Sequence, residues 1–260
     1  MNISDSAPKI FSYQFIVEPF HVDFTGHVNL SHICDYMLYA AESHAEILGC
    51  GLEELLTHNL SWFLTRAVIE IDKYPKAYEK GKVETWVEQT NRLFSIRNID
   101  FFDEDNKRFG GARLMWALVD LTTHTPADLS TLEGLSQYSF PERKSAVAKP
   151  AKVPDISAAA SQATPQKLYD VAYSDIDINQ HFNSVKYIEK IVDMFSLDDY
   201  RTSQIERLEI NYAAEAKFGA TLALRKEVTQ NPECWAVSMR DNTSAETICR
   251  ARVSWKKRND

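Results

Sequence analysis

Asp177–Ile178–Asn179–Gln180–His181–Phe182–Asn183 is the stretch on which the reading of this chain turns, because Asp23–Phe24–Thr25–Gly26–His27–Val28–Asn29 repeats its pattern. Aspartate, histidine and asparagine recur at one constant offset, from 23 to 177, 27 to 181 and 29 to 183. Further out, Ile69–Glu70–Ile71 matches Leu208–Glu209–Ile210, and Ala112–Arg113–Leu114–Met115–Trp116 matches Ala251–Arg252–Val253–Ser254–Trp255, both at an offset of 139 (208 minus 69, 251 minus 112). Three matches in one order read as a duplication, with one connection about fifteen residues shorter in the second copy. On this alignment Lys76 stands where Glu215 stands.

Each copy has the same local grammar. Val185, Ile188, Ile191, Val192 and Phe195 recur at steps of three and four, the stripe of a half-buried helix, and Ile33, Met37, Ala40, Ala41 and the run His44 to Leu48 place its equivalent in copy one. Later segments change to period two: Cys249, Ala251, Val253 and Trp255 alternate with Ile248, Arg250, Arg252 and Ser254, and Ala112, Leu114, Trp116 and Leu118 do likewise. The fold class is therefore α+β, each copy a long helix wrapped by a mostly antiparallel sheet. Residues 1–140 form the first copy and residues 166–260 the second. Between them, residues 141–165 hold four of the nine prolines and few bulky apolar side chains, which predicts a solvated connection.

Composition narrows function. At 260 residues, 44% hydrophobic and 25% charged, the chain supports one large domain or two small ones. A formal net charge of −8 argues against general nucleic-acid binding, which needs a basic face. No apolar run reaches the roughly 18 residues of a membrane span, and the start lacks the basic and apolar regions of a signal peptide, so the expected location is the cytoplasm. The four cysteines, Cys34, Cys50, Cys234 and Cys249, form no CxxC pair, which agrees with a reducing compartment and argues against thiolate zinc sites. His21, Asp23, His27 and His32 cluster in copy one, but copy two keeps a single histidine there, so no metal is expected. No dinucleotide fingerprint, Walker loop, GxSxG elbow or HExxH motif occurs, and no cofactor is implied.

Asp177, Asn179, His181 and Asn183 sit between a strand end and the first turn of the amphipathic helix. One of them suffices as an N-cap. Four at every second position exceed that need and would share a face if the segment were extended. Unpaired N–H groups at the helix start could also polarise a carbonyl oxygen. Glu215 adds a carboxylate in an otherwise small and apolar stretch, Ala213, Ala214 and Ala216. Thr25 and Lys76 occupy the corresponding places in copy one, which predicts a working second copy and a first copy that shapes substrate binding.

Asp175–Ile176–Asp177–Ile178–Asn179–Gln180–His181–Phe182–Asn183–Ser184–Val185–Lys186–Tyr187–Ile188 resembles the Asp-x-Asn-x-His-x-Asn block of the acyl-acyl carrier protein thioesterases, tandem hotdog enzymes of plant plastids and bacteria. The likeness runs from Phe11 to Trp255. It implies a double hotdog fold and hydrolysis of a fatty acyl thioester on acyl carrier protein, which releases free fatty acid and terminates synthesis. By the same resemblance Asp177, Asn179, His181 and Glu215 are the catalytic positions. The plant enzymes usually carry cysteine immediately after the acid, where this chain has Ala216. That departure favours water attack, with Glu215 as general base, over a thioacyl intermediate unless Cys34 or Cys50 reaches the site. The resemblance makes acyl carrier protein the partner, an acidic protein that a locally basic face would meet, from Lys73, Lys76, Lys80 and Lys82 or from Arg143, Lys144, Lys149 and Lys152. Trp62, Phe63 and Leu64 are candidates for the acyl slot. The rival substrates are acyl-CoA and aryl-CoA. A hydratase would space Asp and His by four intervening residues and leave Asn179 and Glu215 without roles, and a non-catalytic acyl-binding regulator would need an output domain for which no residues remain. Acyl chain length and pairing into a homodimer stay open.

Overall fold

Alternating segments of the first copy become five strands of one sheet. These are β1 (Ile10–Ile16), β2 (Leu60–Ile71), β3 (Lys80–Thr90), β4 (Ser95–Asp103) and β5 (Arg108–Asp120), paired in the order β1-β3-β4-β5-β2, with the short β6 (Thr125–Pro126) on β5. Every pairing is antiparallel. Helix α1 (Leu30–Ile47) buries Ile33, Met37, Ala40, Ala41 and Ala45 of the stripe predicted from spacing, with Cys34 besides, and it packs on β1 and β3. Helix α2 (Leu52–Thr57) follows. The structure, a computed structural model, describes residues 7–132 and 134–258, and the chain divides into two units between Pro150 and Ala151.

The second unit repeats the plan. After α3 (Ala158–Gln162) come β7 (Lys167–Asp170), α4 (Ser184–Val192), α5 (Leu197–Thr202), β8 (Ser203–Tyr212), β9 (Thr221–Val228), β10 (Cys234–Asp241) and β11 (Thr247–Lys257). Its strands run in the order β8-β11-β10-β9-β7, all antiparallel. Cys249, Ala251, Val253 and Trp255 are buried while Arg250, Arg252 and Ser254 between them are less so, as alternation requires. The helix is shorter than its stripe suggests. Val185, Ile188 and Ile191 are buried as predicted, but α4 ends at Val192 because Ser196 and Asp199 form a reciprocal capping box that starts α5. Phe195 instead meets the Trp235 and Trp255 rings edge-on, at 5.9 and 4.9 Å. Among the described residues no helix is long and apolar enough to cross a membrane.

The proline-rich connection is largely exposed, and a few of its side chains and backbone groups pin it to each unit. In the first unit Arg143 lies over the Trp86 ring at 4.0 Å and pairs with Glu84 and Asp100 at 2.8 and 3.0 Å. Arg113 donates to the carbonyl of buried Val147. In the second unit the Val153 N–H donates to Asn211, and Asp155 receives Arg240 at 2.7 Å and Arg250 at 3.2 Å. Charged partners on the strands account for this, and composition alone does not report partners.

Hydrogen bonding corrects the repeat alignment. Ile71 faces Gly110 in the first unit and Tyr212 faces Cys249 in the second, so β5 maps onto β11 at an offset of 139 (249 minus 110) but β2 maps onto β8 at 141 (212 minus 71). The strand exits agree: Asp72 and Lys73 both donate to the Phe109 carbonyl, as Ala213 and Ala214 do to that of Ile248. Glu215 therefore corresponds to Tyr74, not Lys76, and Lys76 corresponds to Lys217. A slip of two leaves every side chain on its own face of the sheet, so apolar–polar–apolar alternation is kept when Ile69–Glu70–Ile71 moves from Leu208–Glu209–Ile210 to Ile210–Asn211–Tyr212.

Candidate active site

The segment ahead of α4 is a closed loop, not the extended run in which alternate residues would share a face. The Asp177 N–H donates to the His181 carbonyl at 2.9 Å and the Gln180 N–H returns to the Asp177 carbonyl at 3.0 Å. Gln180 takes a left-handed conformation, φ 66°, to close the turn. One oxygen of the Asp177 carboxylate accepts the backbone N–H groups of Asn179 and His181, at 2.9 and 3.2 Å. Asp177 is thus built into the loop rather than aimed at the imidazole. Asn179 rides half-buried between them, and Asn183 caps α4 by accepting the Val185 N–H at 2.8 Å. That cap occupies one of the helix N–H groups expected to meet a substrate oxygen.

The loop presents His181 to the chain that leaves β8. The Phe182 N–H donates to the Ala216 carbonyl at 2.9 Å, which sets the two segments side by side. His181 Nε2 then lies 2.9 Å from Glu215 Oε2, with the imidazole 14% and the carboxylate 29% exposed. The structure so brings together His181 and Glu215, 34 residues apart (215 minus 181), as a contacting pair reachable from solvent. A hydrogen-bonded imidazole and carboxylate at a partly open surface can take up and pass on a proton.

Tyr187 is the residue that pattern reading passed over. It projects from α4, its hydroxyl receives the Ala216 N–H at 3.3 Å, and it reaches the Ala214 carbonyl at 3.5 Å, so it holds the backbone on both sides of Glu215. Burial, together with the Glu215 and Asp177 carboxylates nearby, drives its phenol well above the ordinary range, keeping it a neutral hydrogen-bonding group. Tyr212 supports the same corner by donating to the Ser184 carbonyl at 3.0 Å. The signal was available in the sequence as a phenol on the apolar stripe of α4.

Comparison with known proteins identifies the family. The acyl-ACP thioesterase N-terminal domain signature matches residues 8–131, and the C-terminal domain signature matches residues 158–257. The chain belongs to the acyl-ACP thioesterase family. Within it, the palmitoyl-acyl carrier protein thioesterase of Arabidopsis thaliana is 24% identical over 236 residues, covering 85% of this chain and 55% of that protein. The dodecanoyl-[acyl-carrier-protein] hydrolase of Cinnamomum camphora is 22% identical over 231 residues, covering 82% and 58%. The chain thus spans little more than half the length of these curated relatives. The crystal structure of an acyl-ACP thioesterase from Bacteroides thetaiotaomicron is 38% identical, with a TM-score of 0.86 over 95% of this chain and 98% of that one. The 12:0-ACP thioesterase from Umbellularia californica, at 16% identity, shares the fold with a TM-score of 0.84 over 96% of this chain and 94% of that one.

With Ala216 where the resemblance to the plant enzymes leads one to expect cysteine, the four cysteines of this chain are informative. All four are free and buried. Burial pushes the Cys34 and Cys249 thiols far up and that of Cys50 to about 11, so none of these three supplies a thiolate at neutral pH. Among the described residues no group of three or more His, Cys, Asp or Glu is placed to hold a metal ion. The clustered histidines of the first unit are held by other partners: His21 stacks on His32 at 4.0 Å and meets Glu18, His32 meets Asp35, and His27 Nδ1 meets Thr25 Oγ1 at 3.0 Å. Trp62 lines a cavity in the first unit, and its indole N–H donates to the Cys50 carbonyl. Of the basic residues, Arg143 and Lys82 are paired with carboxylates, whereas Lys73, Lys76 and Lys80 are exposed.

Proposed function

We propose that this chain hydrolyses the thioester between a fatty acyl group and acyl carrier protein, releasing the free acid. The observation that carries the reading is the 2.9 Å contact of His181 Nε2 with Glu215 Oε2 in the unit matched by the family's C-terminal domain. Glu215 takes a proton from water as the water oxygen bonds to the acyl carbon, and His181 shares that proton through Nε2. Asn179 faces the thioester oxygen as negative charge develops there. Collapse of the tetrahedral intermediate breaks the C–S bond, and the pantetheine sulfur leaves as a thiol with the proton the pair took up. Asp177 acts through the loop, fixing where Asn179 and His181 stand. Cys34, Cys50 and Cys249, whose buried thiols stay protonated, support a path without an acyl-enzyme. Free thiols in this number also fit a reducing, cytoplasmic setting.

Replacing Glu215 by Gln keeps the side-chain shape and removes the base. The expected result is a fall in kcat of about 10²–10⁴-fold with acyl-carrier binding retained. Steady-state hydrolysis of a panel of carrier-linked and CoA-linked acyl thioesters measures it. Near-normal turnover by the variant ends the base assignment, and faster hydrolysis of the CoA panel moves the substrate from carrier protein to coenzyme.

A further inference from the structure

Between α1 and the sheet of the first unit lies a cavity of about 190 Å³, bounded by Leu38, Ala41 and Ala45 of the helix and by Trp62 and Trp116 of the strands. A cavity of ~150 Å³ suffices for benzene, so this one takes a run of several methylenes. Its wall, however, is not uniformly apolar: Glu42, Ser95 and Arg97 also line it.

Arg97 is only 7% exposed, and its Nη1 is held by neutral acceptors, His44 Nδ1 at 2.9 Å and Thr85 Oγ1 at 3.2 Å. His44 donates from Nε2 to the Pro8 carbonyl at 2.9 Å, which leaves Nδ1 as the lone pair that receives the guanidinium. Among the described residues no carboxylate forms a salt bridge with Arg97. Glu42 couples to it through space, while one oxygen of Glu42 accepts the Leu52 N–H at 2.7 Å. A cation and a carboxyl group therefore share the wall of a chain-sized cavity. A plain hydrocarbon lying there would displace water from both and replace none of its hydrogen bonds.

We infer that this cavity selects acyl groups bearing a hydroxyl on the alkyl chain over unsubstituted chains of the same length. A hydroxyl both accepts and donates, so it answers Arg97 and Glu42 together. A ketone only accepts, and a carboxylate would oppose Glu42. The inference rests on the thioester-hydrolase reading for its substrate, and it adds that substrate's chemical class.

The test uses dodecanoyl-acyl carrier protein and a series carrying one hydroxyl at successive carbons from the fifth to the last. At least one hydroxylated substrate should exceed the parent in kcat/KM by about tenfold, the worth of a hydrogen bond to a charged group. In Arg97→Met that ratio should fall to about one. A hydroxylated series hydrolysed no faster than the parent overturns the inference, as does a ratio that survives Arg97→Met. Because Arg97→Met can destabilise the first unit, calorimetric binding of the free hydroxy acids and of dodecanoic acid to Glu215→Gln protein is the second arm. There the preferred hydroxy acid should bind about tenfold tighter, and equal affinities sink the idea. Should no thioester be cleaved by the unmodified protein, the hydrolase reading falls while the binding arm still decides the cavity.

Discussion

The loop from Asp23 to Asn29 and the loop from Asp177 to Asn183 share one backbone plan. In each, the aspartate N–H meets the histidine carbonyl, the residue before the histidine closes the turn with positive φ, and the residue after it donates to the chain leaving a strand, Val28 to Pro75 and Phe182 to Ala216. What differs is the equipment around the ring. His27 is buried and bonded to Thr25, and Tyr74 and Ile33 occupy the places that Glu215 and Tyr187 hold in the second unit. A shared scaffold with one furnished copy separates the aspartate, which serves the loop in both, from the glutamate and tyrosine present in one, which are the groups the proposed mechanism needs.

The largest expected effect breaks this comparison at its centre. His181→Ala should lower kcat by about 10²–10⁴-fold, the range for a general acid–base group, while His27→Ala should change kcat by less than about threefold and register instead as lost stability. Parallel hydrolysis assays and urea melts of the two variants separate the outcomes. Comparable loss of kcat in both would mean that the first loop also carries chemistry.

Acid should distinguish the units next. Burial, with Arg97 beside it, holds the His44 imidazole down to about 4 from an ordinary 6.5. Between those values the unfolded chain binds a proton that the folded chain refuses, so stability falls as pH drops from 6.5 toward 4 and this contribution is flat above 6.5. The full loss amounts to about 3 kcal/mol. Urea unfolding at pH 7 and pH 4.5 measures the slope, and His44→Gln should flatten it. An unchanged slope in the variant would remove His44 as the acid-sensitive group of the first unit.

Tyr187→Phe tests the furnishing of the second loop. Loss of the hydroxyl frees the Ala216 N–H and loosens the backbone on which Glu215 stands, at a cost of about 1 kcal/mol of positioning, so kcat should fall about five- to tenfold with KM little changed. A merely structural tyrosine would lower the melting temperature and leave kcat intact. The kcat-to-KM split of the purified variant distinguishes the two.

Much of this was legible in advance because periodicity reports burial. The α1 stripe and the alternation of β11 follow from which residues must avoid water, whereas the polar residues 177, 179, 181 and 183 form a closed loop and not the shared extended face their spacing suggested. Register was not legible, since a slip of two preserves every inward face, and so Tyr74 rather than Lys76 emerged as the counterpart of Glu215 only from hydrogen bonds. Arg97 was hidden for a related reason. An arginine in a strand reads as its solvent face, and only the packing of α1 over the sheet shows that this one is enclosed. Composition marks the connection from 141 to 165 as a surface segment, and most of it is exposed, but prolines and lysines do not say that Arg143 has Glu84, Asp100 and Trp86 to bind.

That connection and the exposed lysines of the first unit give the smallest and last contrast. An acidic carrier protein is drawn by unpaired surface cations, and Lys73, Lys76 and Lys80 are exposed while Arg143 already has two carboxylates. Lys76→Glu should therefore raise KM for carrier-linked substrate by about two- to fivefold at low salt, leave kcat alone, and lose its effect near 1 M salt, where the screening length shrinks to ~3 Å. Arg143→Ala should do the reverse, lowering the melting temperature while KM keeps its salt dependence, because its charge is satisfied within the fold. If Lys76→Glu leaves both KM and its salt slope untouched, the basic face that meets the carrier lies elsewhere, and the contrast between free and satisfied cations loses its functional meaning.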